Sequence, residues 1–237
     1  MEERPGIQLP DIELPPGSCW LVATPIGNLA DVSLRALSVL SGVDLVFAED
    51  TRRTRILMSR YGIRARLESF HDHNKERQVP KVIERLRRGE TIALVSDAGM
   101  PAIADPGFVL VRALREAELT YTVVPGPSSV LTALVLSGMP TDRFLFAGYT
   151  PRKSGRLRTF LTEMLEERGT VVMLESIHRI RKTLEALQEL APDREAAVVR
   201  EITKIHEEVL RGTAADLLLE MDGPRLKGEL VLLLRGK

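Results

Sequence analysis

The sequence has little of several features that mark particular classes of protein. One cysteine, Cys19, among 237 residues leaves no partner for an internal disulfide, and four scattered histidines give no zinc-ligand spacing. The longest apolar runs, such as residues 229–234, are far too short to cross a bilayer. The acidic start at residues 1–5 lacks the apolar segment of a secretory signal. We therefore expect a cytoplasmic protein without a metal site, disulfide or membrane span.

Common nucleotide and hydrolase motifs are also missing. No G-x-G-x-x-G follows an apolar run, no loop ends in Gly-Lys-Ser or Gly-Lys-Thr, and no G-x-S-x-G occurs. These absences disfavour the usual dinucleotide fold, a nucleoside-triphosphate hydrolase and a serine hydrolase. Aromatic residues make up 4% of the chain, which argues against a platform that stacks bases.

The order of apolar and polar segments predicts an α/β fold. Short apolar runs alternate with helical patterns over residues 19–124, which is typical of a parallel, doubly wound sheet. Further on, four strands are predicted, and two of them are closely spaced with no long helix between, which suggests partly antiparallel pairing. We predict a flexible lead-in over residues 1–17, an N-terminal α/β domain over 18–124 and a C-terminal α/β domain over 125–237. The four later strands are predicted at residues 171–175, 196–200, 207–211 and 229–234.

Three loops rich in glycine and proline each follow an apolar run directly, at residues 24–29, 96–107 and 125–129. The carboxyl ends of parallel strands face one crevice, where ligands bind. Glycine lets backbone approach a ligand closely, and proline holds a loop rigid. The loops favour a small ligand held largely by main-chain groups, such as one adenosyl unit with a short charged tail. Ordinary strand-to-helix turns are the alternative.

Charge is distributed unevenly although the formal net charge is zero. Residues 1–50 carry a net charge of −6, from 2 basic and 8 acidic side chains. Residues 51–88 carry +8, from 12 basic and 4 acidic side chains, and residues 151–182 carry +4, from 8 and 4. The two basic segments indicate either a surface that faces phosphates or a set of solvated helix faces.

Nine short segments, met in order over roughly residues 19–235, resemble those of the ribosomal RNA small subunit methyltransferase I family in the tetrapyrrole-methylase superfamily. The resemblance implies two α/β domains that hold S-adenosylmethionine in a cleft between them, a homodimer, and 2′-O-methylation of a cytidine ribose in the decoding region of 16S rRNA within the 30S subunit. Methylation of a tetrapyrrole on the same fold and a non-catalytic RNA-binding assembly factor are the rival hypotheses. The segments are VATPIGNL (22–29), AEDTR (48–52), FHDHN (70–74), LVSDAG (94–99), PGPSS (125–129), PRKSG (151–155), ES (175–176), REITK (200–204) and KGE (227–229).

The resemblance also implies which residues bind the cofactor. A carboxylate such as Asp97 suits the ammonium or ribose hydroxyls of S-adenosylmethionine, and an N-cap of the following turn is the alternative role for Asp97. The implied loop residues are Pro25, Asp97, Gly99, Pro101, Ile103, Ser128 and Ser129. Main chain near Met173, Leu174, Val199, Arg200 and Leu230 is implied to hold the adenosine.

A ribose hydroxyl is a weak acid, so its methylation gains from a positioned base. Candidates are Asp50, Glu201 and Lys204, with Glu229 more remote. If the segment is helical, Glu201 and Lys204 share one face, whereas in a strand Glu201 and Thr203 do. A simple surface ion pair between Glu201 and Lys204 is equally compatible with the sequence.

Basic and polar side chains in three segments are candidates for contacting RNA. Arginines at the start of a predicted helix neutralise phosphates, which gives affinity but no sequence choice. Side chains of the FHDHN loop stack on or hydrogen-bond a splayed-out base. A polar loop is a better interpretation of its two histidines than a metal site. The candidates are Arg52, Arg53 and Arg55, then His71, His73 and Asn74, then Arg152, Lys153 and Arg156 in a second phosphate site.

Overall fold

A computed structural model describes residues 8–221 and 228–237. The chain divides into two compact units, Met1–Pro127 and Ser128–Lys237. The boundary lies three residues later than the sequence predicts, after residue 127 instead of residue 124. Both units combine helices with a five-stranded sheet, so the predicted α/β class is confirmed. Among the described residues, no helix is long and apolar enough to span a membrane.

The first unit has a fully parallel sheet with strand order β3-β2-β4-β1-β5. All four residues of β1, β2 and β4 are buried, as expected for strands covered on both faces. The elements are β1 (Cys19–Val22), a short 3-10 turn (Leu29–Asp31), α1 (Leu34–Gly42), β2 (Leu45–Ala48), α2 (Thr51–Arg60), β3 (Leu67–Ser69), α3 (Lys75–Arg87), β4 (Ile92–Val95), α4 (Gly107–Glu116) and β5 (Tyr121–Val124).

Helices cover both faces of this sheet. One apolar cluster joins α1 and α2 to residues such as Val22 and Val46, and a second joins α3 and α4 to residues such as Leu21 and Phe47. Alternate residues of each strand therefore face opposite layers, which is the doubly wound arrangement that the alternating sequence predicts. Burial of Cys19 in β1 raises the pKa of its thiol to about 12, so this cysteine is unreactive.

The lead-in differs from expectation over the part that the structure describes. Residues 8–16 form no helix or strand, yet Leu9, Ile12 and Leu14 pack against the apolar cluster beside α1. The Ser38 hydroxyl donates a hydrogen bond of 2.7 Å to the Pro10 carbonyl. Prolines alone suggest a loose segment, but these apolar side chains lower their exposure by packing on the domain. Residues 1–7 of the predicted lead-in lie outside the described residues.

The second unit has a mixed sheet with strand order β6-β7-β10-β8-β9. Strands β6 and β7 are parallel and the other pairs are antiparallel, so the partly antiparallel pairing is confirmed. Helices α6, α7 and α8 share one apolar core with β7, β8 and β10, while α5 also contacts the sheet. The elements are α5 (Ser129–Ser137), β6 (Phe144–Tyr149), α6 (Ser154–Met164), β7 (Thr170–Ser176), α7 (Ile180–Leu190), β8 (Ala196–Arg200), β9 (Glu208–Gly212), α8 (Ala214–Glu220) and β10 (Glu229–Leu234).

Candidate active site

The three loops that follow β1, β4 and β5 touch one another at the carboxyl edge of the first sheet. Thr24 and Gly99 exchange two backbone hydrogen bonds, each 3.0 Å long. A Cβ atom at Gly99 would lie 3.3 Å from the Pro127 carbonyl oxygen, and one at Gly126 would lie 2.8 Å from the Ala23 Cβ. Strands β4 and β5 are the two neighbours of β1 in the sheet. Because all three strands are parallel, the loops that follow them lie side by side at the carboxyl edge.

The loop after β4 holds an unusual backbone. Ala102 and Ala104 have positive φ angles of 69° and 58°, which non-glycine residues rarely adopt. The Asp105 carboxylate stabilises this path by accepting hydrogen bonds of 2.8 Å from the Ala102 N–H and 2.7 Å from the Gly107 N–H. Strain of this kind concentrates at ligand sites, because function there offsets its cost. The Ile103 side chain in the same loop is 53% exposed, whereas Pro101 is buried.

Asp97 ties the β4 loop to the β2 loop. Its Oδ1 accepts a hydrogen bond of 2.8 Å from the Asp50 N–H, and its Oδ2 lies 3.8 Å from the Arg53 guanidinium. The carboxylate therefore braces the start of α2, and within the described residues it does not cap the turn that follows it. The side chain remains 30% exposed, so part of it is open to a ligand. Pro25 in the neighbouring β1 loop is buried and contributes shape rather than a polar group.

Asp50 is the N-cap of α2. Its carboxylate accepts from the Arg52 N–H at 2.8 Å and forms an ion pair of 2.8 Å with the Arg52 side chain. These contacts lower the pKa of Asp50 to about 2, with the hydrogen bond from the Arg52 side chain as the largest cause. A carboxylate that holds protons so weakly is a poor general base, so the structure disfavours Asp50 in that role.

Glu49, which the sequence interpretation passed over, is the better placed carboxylate. It directly follows β2, beside the Asp97 loop. Burial raises its pKa first, and the negative charges of Asp97 and Asp105 raise it further. A raised pKa makes a carboxylate a stronger base near neutral pH. The sequence signal for Glu49 was weak, because Glu49 and Asp50 stand together after the strand and only the fold separates their environments.

The FHDHN loop lies between β3 and α3, and its three candidates have different roles. The Asn74 side chain is buried, accepting from the His71 N–H at 2.9 Å and donating to the Ser69 carbonyl at 3.0 Å. Asn74 therefore holds the loop and is not available to a base, which corrects its predicted role. The rings of His71 and His73 stack edge to face at 6.0 Å, and His73 is exposed. The buried Nδ1 of His71 has no hydrogen-bond partner among the described residues.

The residues expected near the adenosine meet at one end of the second sheet. Leu230 of β10 pairs with Arg200 of β8 on one side and with Glu175 of β7 on the other. One step along, Val231 pairs with Val199 and Leu174 in the same way. Met173, Val199 and Leu230 are buried, so these residues offer a ligand main chain rather than side chains. Arg200 differs, because its guanidinium forms an ion pair with Glu208.

The segment with Glu201 and Lys204 is a turn, which corrects both the helix and the strand alternatives. Glu201 and Thr203 have positive φ angles of 49° and 64°. The Glu201 carboxylate forms an ion pair of 2.9 Å with Lys204 Nζ, and its pKa is lowered mainly by that hydrogen bond. A Cβ atom at Gly228 would overlap the Glu201 carboxylate, so any other residue there would force this side chain to move. Lys227 of the same motif lies outside the described residues.

The second basic segment stands at the start of α6. Arg152, Lys153 and Arg156 are exposed, and within residues 8–221 and 228–237 their side chains form no ion pair or hydrogen bond. The preceding Thr150 is anchored by the buried carboxylate of Glu175, which accepts a hydrogen bond from the Thr150 hydroxyl. Glu175 also accepts from Thr183 at 2.7 Å. A charged residue that ends an apolar strand was the available signal for this anchor.

Polar groups for a metal ion are not assembled in the described parts of the chain. No group of three or more His, Cys, Asp or Glu side chains there has the geometry to hold one.

Comparison with known proteins shows the class of the fold. The family model for tetrapyrrole (corrin/porphyrin) methylases matches residues 18–218. The structure of uroporphyrin-III-C-methyltransferase from Thermus thermophilus superposes with a TM-score of 0.64 and 24% identity, covering 92% of this chain and 94% of that one. A cobalt precorrin-4 methyltransferase superposes with a TM-score of 0.70 and 18% identity, covering 92% and 95%. The protein is thus a tetrapyrrole-type methylase in fold, and methylases of this family use S-adenosylmethionine.

Sequence relatives narrow the class. Ribosomal RNA small subunit methyltransferase I from Xylella fastidiosa is 46% identical over 224 residues, covering 93% of this chain and 82% of that protein. The protein of the same name from Thermotoga maritima is 39% identical over 221 residues, covering 93% and 99%. The chain belongs to the ribosomal RNA small subunit methyltransferase I family, as its motifs predict.

Proposed function

We propose that this protein transfers the methyl group of S-adenosylmethionine to the 2′-hydroxyl of a cytidine ribose in the decoding region of 16S rRNA. The observation that carries the proposal is the joined set of three loops at the carboxyl edge of the first sheet, in a chain whose relatives are named for acting on small-subunit rRNA. The tetrapyrrole alternative is supported by the description of the family model and by solved structures below 25% identity, whereas the relatives at 46% and 39% identity are named for ribosomal RNA.

The residues present fit S-adenosylmethionine. The partly exposed Asp97 carboxylate suits an ammonium or a ribose hydroxyl, and Gly99 has no side chain where the β4 loop meets the other two loops. Ser128 and Ser129 begin α5, where unpaired backbone N–H groups favour a carboxylate. Residues proposed for the adenosine share one end of β7, β8 and β10. The bound cofactor supplies an electrophilic methyl group, and the protein must supply the alignment.

Alignment accounts for most of the catalysis in this proposal. Methyl transfer is an in-line displacement, and holding the acceptor oxygen behind the methyl carbon contributes roughly 7–11 kcal/mol. The braced β4 loop, fixed by Asp105 and by the Thr24–Gly99 hydrogen bonds, is suited to hold that geometry. Glu49 accepts the proton that leaves the ribose hydroxyl. Glu201 and Lys204 neutralise each other as an ion pair, which leaves them a positioning role.

RNA is held in this proposal by exposed arginines and lysines on both units. Arg52 and Arg53 are partly engaged with Asp50 and Asp97, so they link phosphate contact to the carboxylates of the site. Arg55 and the group Arg152, Lys153 and Arg156 are exposed. In this proposal His71 and His73 contact a base, whereas Asn74 supports their loop. The substrate in this proposal is rRNA within the 30S subunit.

A labelled-cofactor assay tests the proposal directly. Undermethylated 30S subunits, free 16S rRNA and a tetrapyrrole are each offered with methyl-labelled S-adenosylmethionine. We expect label in the 30S rRNA alone or well above free rRNA, at a ribose 2′-oxygen of a cytidine. Label in the tetrapyrrole and not in RNA establishes the rival enzyme, and tight RNA binding with no transfer establishes the assembly factor.

Asp97→Ala is expected to weaken cofactor binding by about 1.5–3 kcal/mol, because the substitution removes a charged hydrogen-bond partner. Calorimetry with a chelator present measures this affinity and also tests binding without metal. Asp44→Ala is the matched control, since that carboxylate hydrogen-bonds Thr91 at the opposite end of β4. If the affinity of Asp97→Ala equals that of the wild type, Asp97 only braces α2.

The protein is also proposed to act as a cytoplasmic homodimer. Each unit supplies its own observation: in the first, edge strand β5 exposes Tyr121 and Val123, and in the second, one face of α5 exposes Leu131 and Val135. Apolar side chains on an edge strand and a helix face are typical of a subunit interface. Sedimentation at micromolar concentration should give about twice the chain mass of 26.4 kDa. A fully active monomer contradicts the dimer.

A further inference from the structure

A basic groove lies beside α2, away from the three joined loops. It encloses about 660 Å³ and is open to solvent. Met58, Ile63 and Leu67 contribute its apolar floor, while its polar lining includes Ser59. Its charged lining consists of Arg55, Arg64 and Arg66, with no acidic side chain among the lining residues.

These three arginines are uncommitted within the part of the chain that the structure describes. All three are exposed, and among residues 8–221 and 228–237 their side chains form no ion pair or hydrogen bond. The surrounding segment, residues 51–66, contains six arginines and no acidic residue. By contrast, the half-buried Arg85 pairs with the carboxylates of Glu68 and Glu90, which offset its charge. An unpaired group of one sign raises the local potential and attracts a polyanion.

The groove lies at the amino edge of the first sheet, opposite the carboxyl edge where the three joined loops lie. Helix α2 begins after the carboxyl end of β2 and returns to the start of β3, a path of about 15 Å for ten residues. The Arg66 carbonyl accepts a hydrogen bond of 2.9 Å from Val46 near the beginning of β2. Arg64 and Arg66 therefore lie at the amino edge, whereas Asp50 and Asp97 lie at the carboxyl edge. The first half of α2, which runs from the carboxyl edge toward the amino edge, carries Arg52, Arg53 and Arg55.

We propose that this groove, lined by Arg55, Arg64 and Arg66, binds the sugar-phosphate backbone of the rRNA strand that flanks the methylated nucleotide. The inference rests on the proposed function, and it assigns a second RNA contact that is separate from the place of chemistry. A guanidinium pairs bidentately with a phosphate, and three of them along an open groove suit a backbone rather than a single ion. The apolar floor accepts the faces of ribose rings. Such contacts give affinity and register without reading sequence.

The test compares two triple variants of equal charge. Arg55→Ala, Arg64→Ala and Arg66→Ala are combined in one protein, and Arg77→Ala, Arg87→Ala and Arg115→Ala in a control. The control arginines are exposed and lie on α3 and α4, which cover the opposite face of the sheet. Binding to 16S rRNA is measured over a range of salt, together with methyl transfer to undermethylated 30S subunits and affinity for the demethylated cofactor.

The groove variant should bind RNA about 100-fold more weakly at 0.1 M salt, and the salt slope of log K should fall by about 2–3. We expect a higher KM for the 30S subunit with kcat unchanged, and unchanged cofactor affinity, because the groove is remote from the loops. The control should keep the wild-type slope. A wild-type slope in the groove variant of an enzyme that methylates rRNA overturns the groove proposal alone. A wild-type protein that transfers no methyl group to any rRNA overturns the proposed function, and the groove assignment falls with it.

A second measurement locates the RNA without removing charge. Ser59 is an exposed lining residue, and Cys19 is fully buried, so Ser59→Cys creates one reactive thiol for an iron chelate. Radicals from this tether should cleave the rRNA strand within a few nucleotides of the methylated position. The same reagent added to the wild type controls for untethered cleavage. Cleavage only at distant sites, or none with the protein bound, contradicts the proposal.

Discussion

Replacing Glu49 by glutamine is expected to lower the rate of methyl transfer by about 10²–10⁴-fold, the range typical of losing a positioned general base. The amide keeps the size and much of the hydrogen bonding of the side chain but cannot accept the ribose proton. Cofactor affinity should stay close to wild type, because Asp97 and the loop backbone carry the proposed contacts. Single-turnover transfer to undermethylated 30S subunits gives the chemical rate.

The pH dependence of the methyl-transfer rate distinguishes Glu49 from Asp50 as the general base. A base must be deprotonated, so the rate falls as the pH drops through the pKa of that base. The pKa of Glu49 is raised above the ordinary value for glutamate, whereas that of Asp50 is lowered to about 2. Activity limited by Glu49 is therefore lost above the ordinary glutamate range, and activity limited by Asp50 persists down to strong acid. The wild-type acid limb should disappear in Glu49→Gln.

Stability should change in the opposite direction to activity. A carboxyl group with a raised native pKa binds more protons when folded than when unfolded, so its contribution to stability falls as pH rises from its unfolded pKa through its native one. Glutamine carries no charge and so removes the cost of holding a buried carboxylate at neutral pH. Glu49→Gln is therefore expected to unfold at a higher temperature than the wild type at that pH. Asp50→Asn is the contrasting variant: asparagine keeps the N-cap, but the native pKa of Asp50 is lowered by Arg52, so loss of this carboxylate should lower stability at neutral pH. A Glu49→Gln enzyme with the wild-type rate and pH profile excludes Glu49 as the base.

Local patterns predicted the strands and loops well, because strand burial and turn formation depend mainly on residues that are close together in the sequence. The strands at residues 196–200 and 229–234 have the predicted bounds, and their apolar runs are buried. Parallel strands that alternate with helices also had to place the loops after β1 and β4 at one edge. Two boundaries differ by one residue: β7 extends one residue past each end of its predicted range, as Thr170–Ser176, and β9 is shifted by one position, as Glu208–Gly212.

Contacts between distant residues were not predictable in the same way. Asp97 accepts a hydrogen bond from the backbone N–H of Asp50, which is 47 positions away, and no residue near Asp97 in the sequence predicts that partner. Asn74 was expected at a base, yet its side chain turns inward to fasten Ser69 and His71. Glu201 occupies a left-handed turn, and its carboxylate fills the space that a side chain at Gly228 would need. Each of these roles follows from packing, which a pattern of residue types does not contain.

Glu175 is expected to be the most costly single side chain to remove from the second unit. Its carboxylate has no exposed surface and forms an ion pair of 2.6 Å with Arg179. It also accepts hydrogen bonds from the hydroxyls of Thr150 and Thr183 and from the Ser176 N–H. All of its lone pairs thus have protein partners, so the charge is well compensated although it is buried.

Glu175→Ala should lower the free energy of unfolding by about 3–5 kcal/mol, because it leaves the Arg179 charge and two buried hydroxyls without their partner. Far-UV circular dichroism during urea unfolding measures the loss over both units. Trp20, the single tryptophan, lies in the first unit, so its fluorescence reports that unit separately. Glu195→Ala is the control, since its ion pair with Arg235 is exposed and should contribute at most about 1 kcal/mol.

The milder Glu175→Gln separates the structural role from a functional one. The Arg179 guanidinium also donates to the Thr150 carbonyl at 3.0 Å, so the Glu175–Arg179 pair fixes the residue from which the basic loop at Arg152 and Lys153 departs. Glutamine preserves the shape and weakens the anchor, which should loosen that loop and raise the KM for the 30S subunit more than it lowers kcat. Restoring the carboxylate with Glu175→Asp should recover part of the affinity. If Glu175→Gln is destabilised while the KM stays at the wild-type value, Glu175 supports the fold of the second unit and does not position the RNA-binding loop.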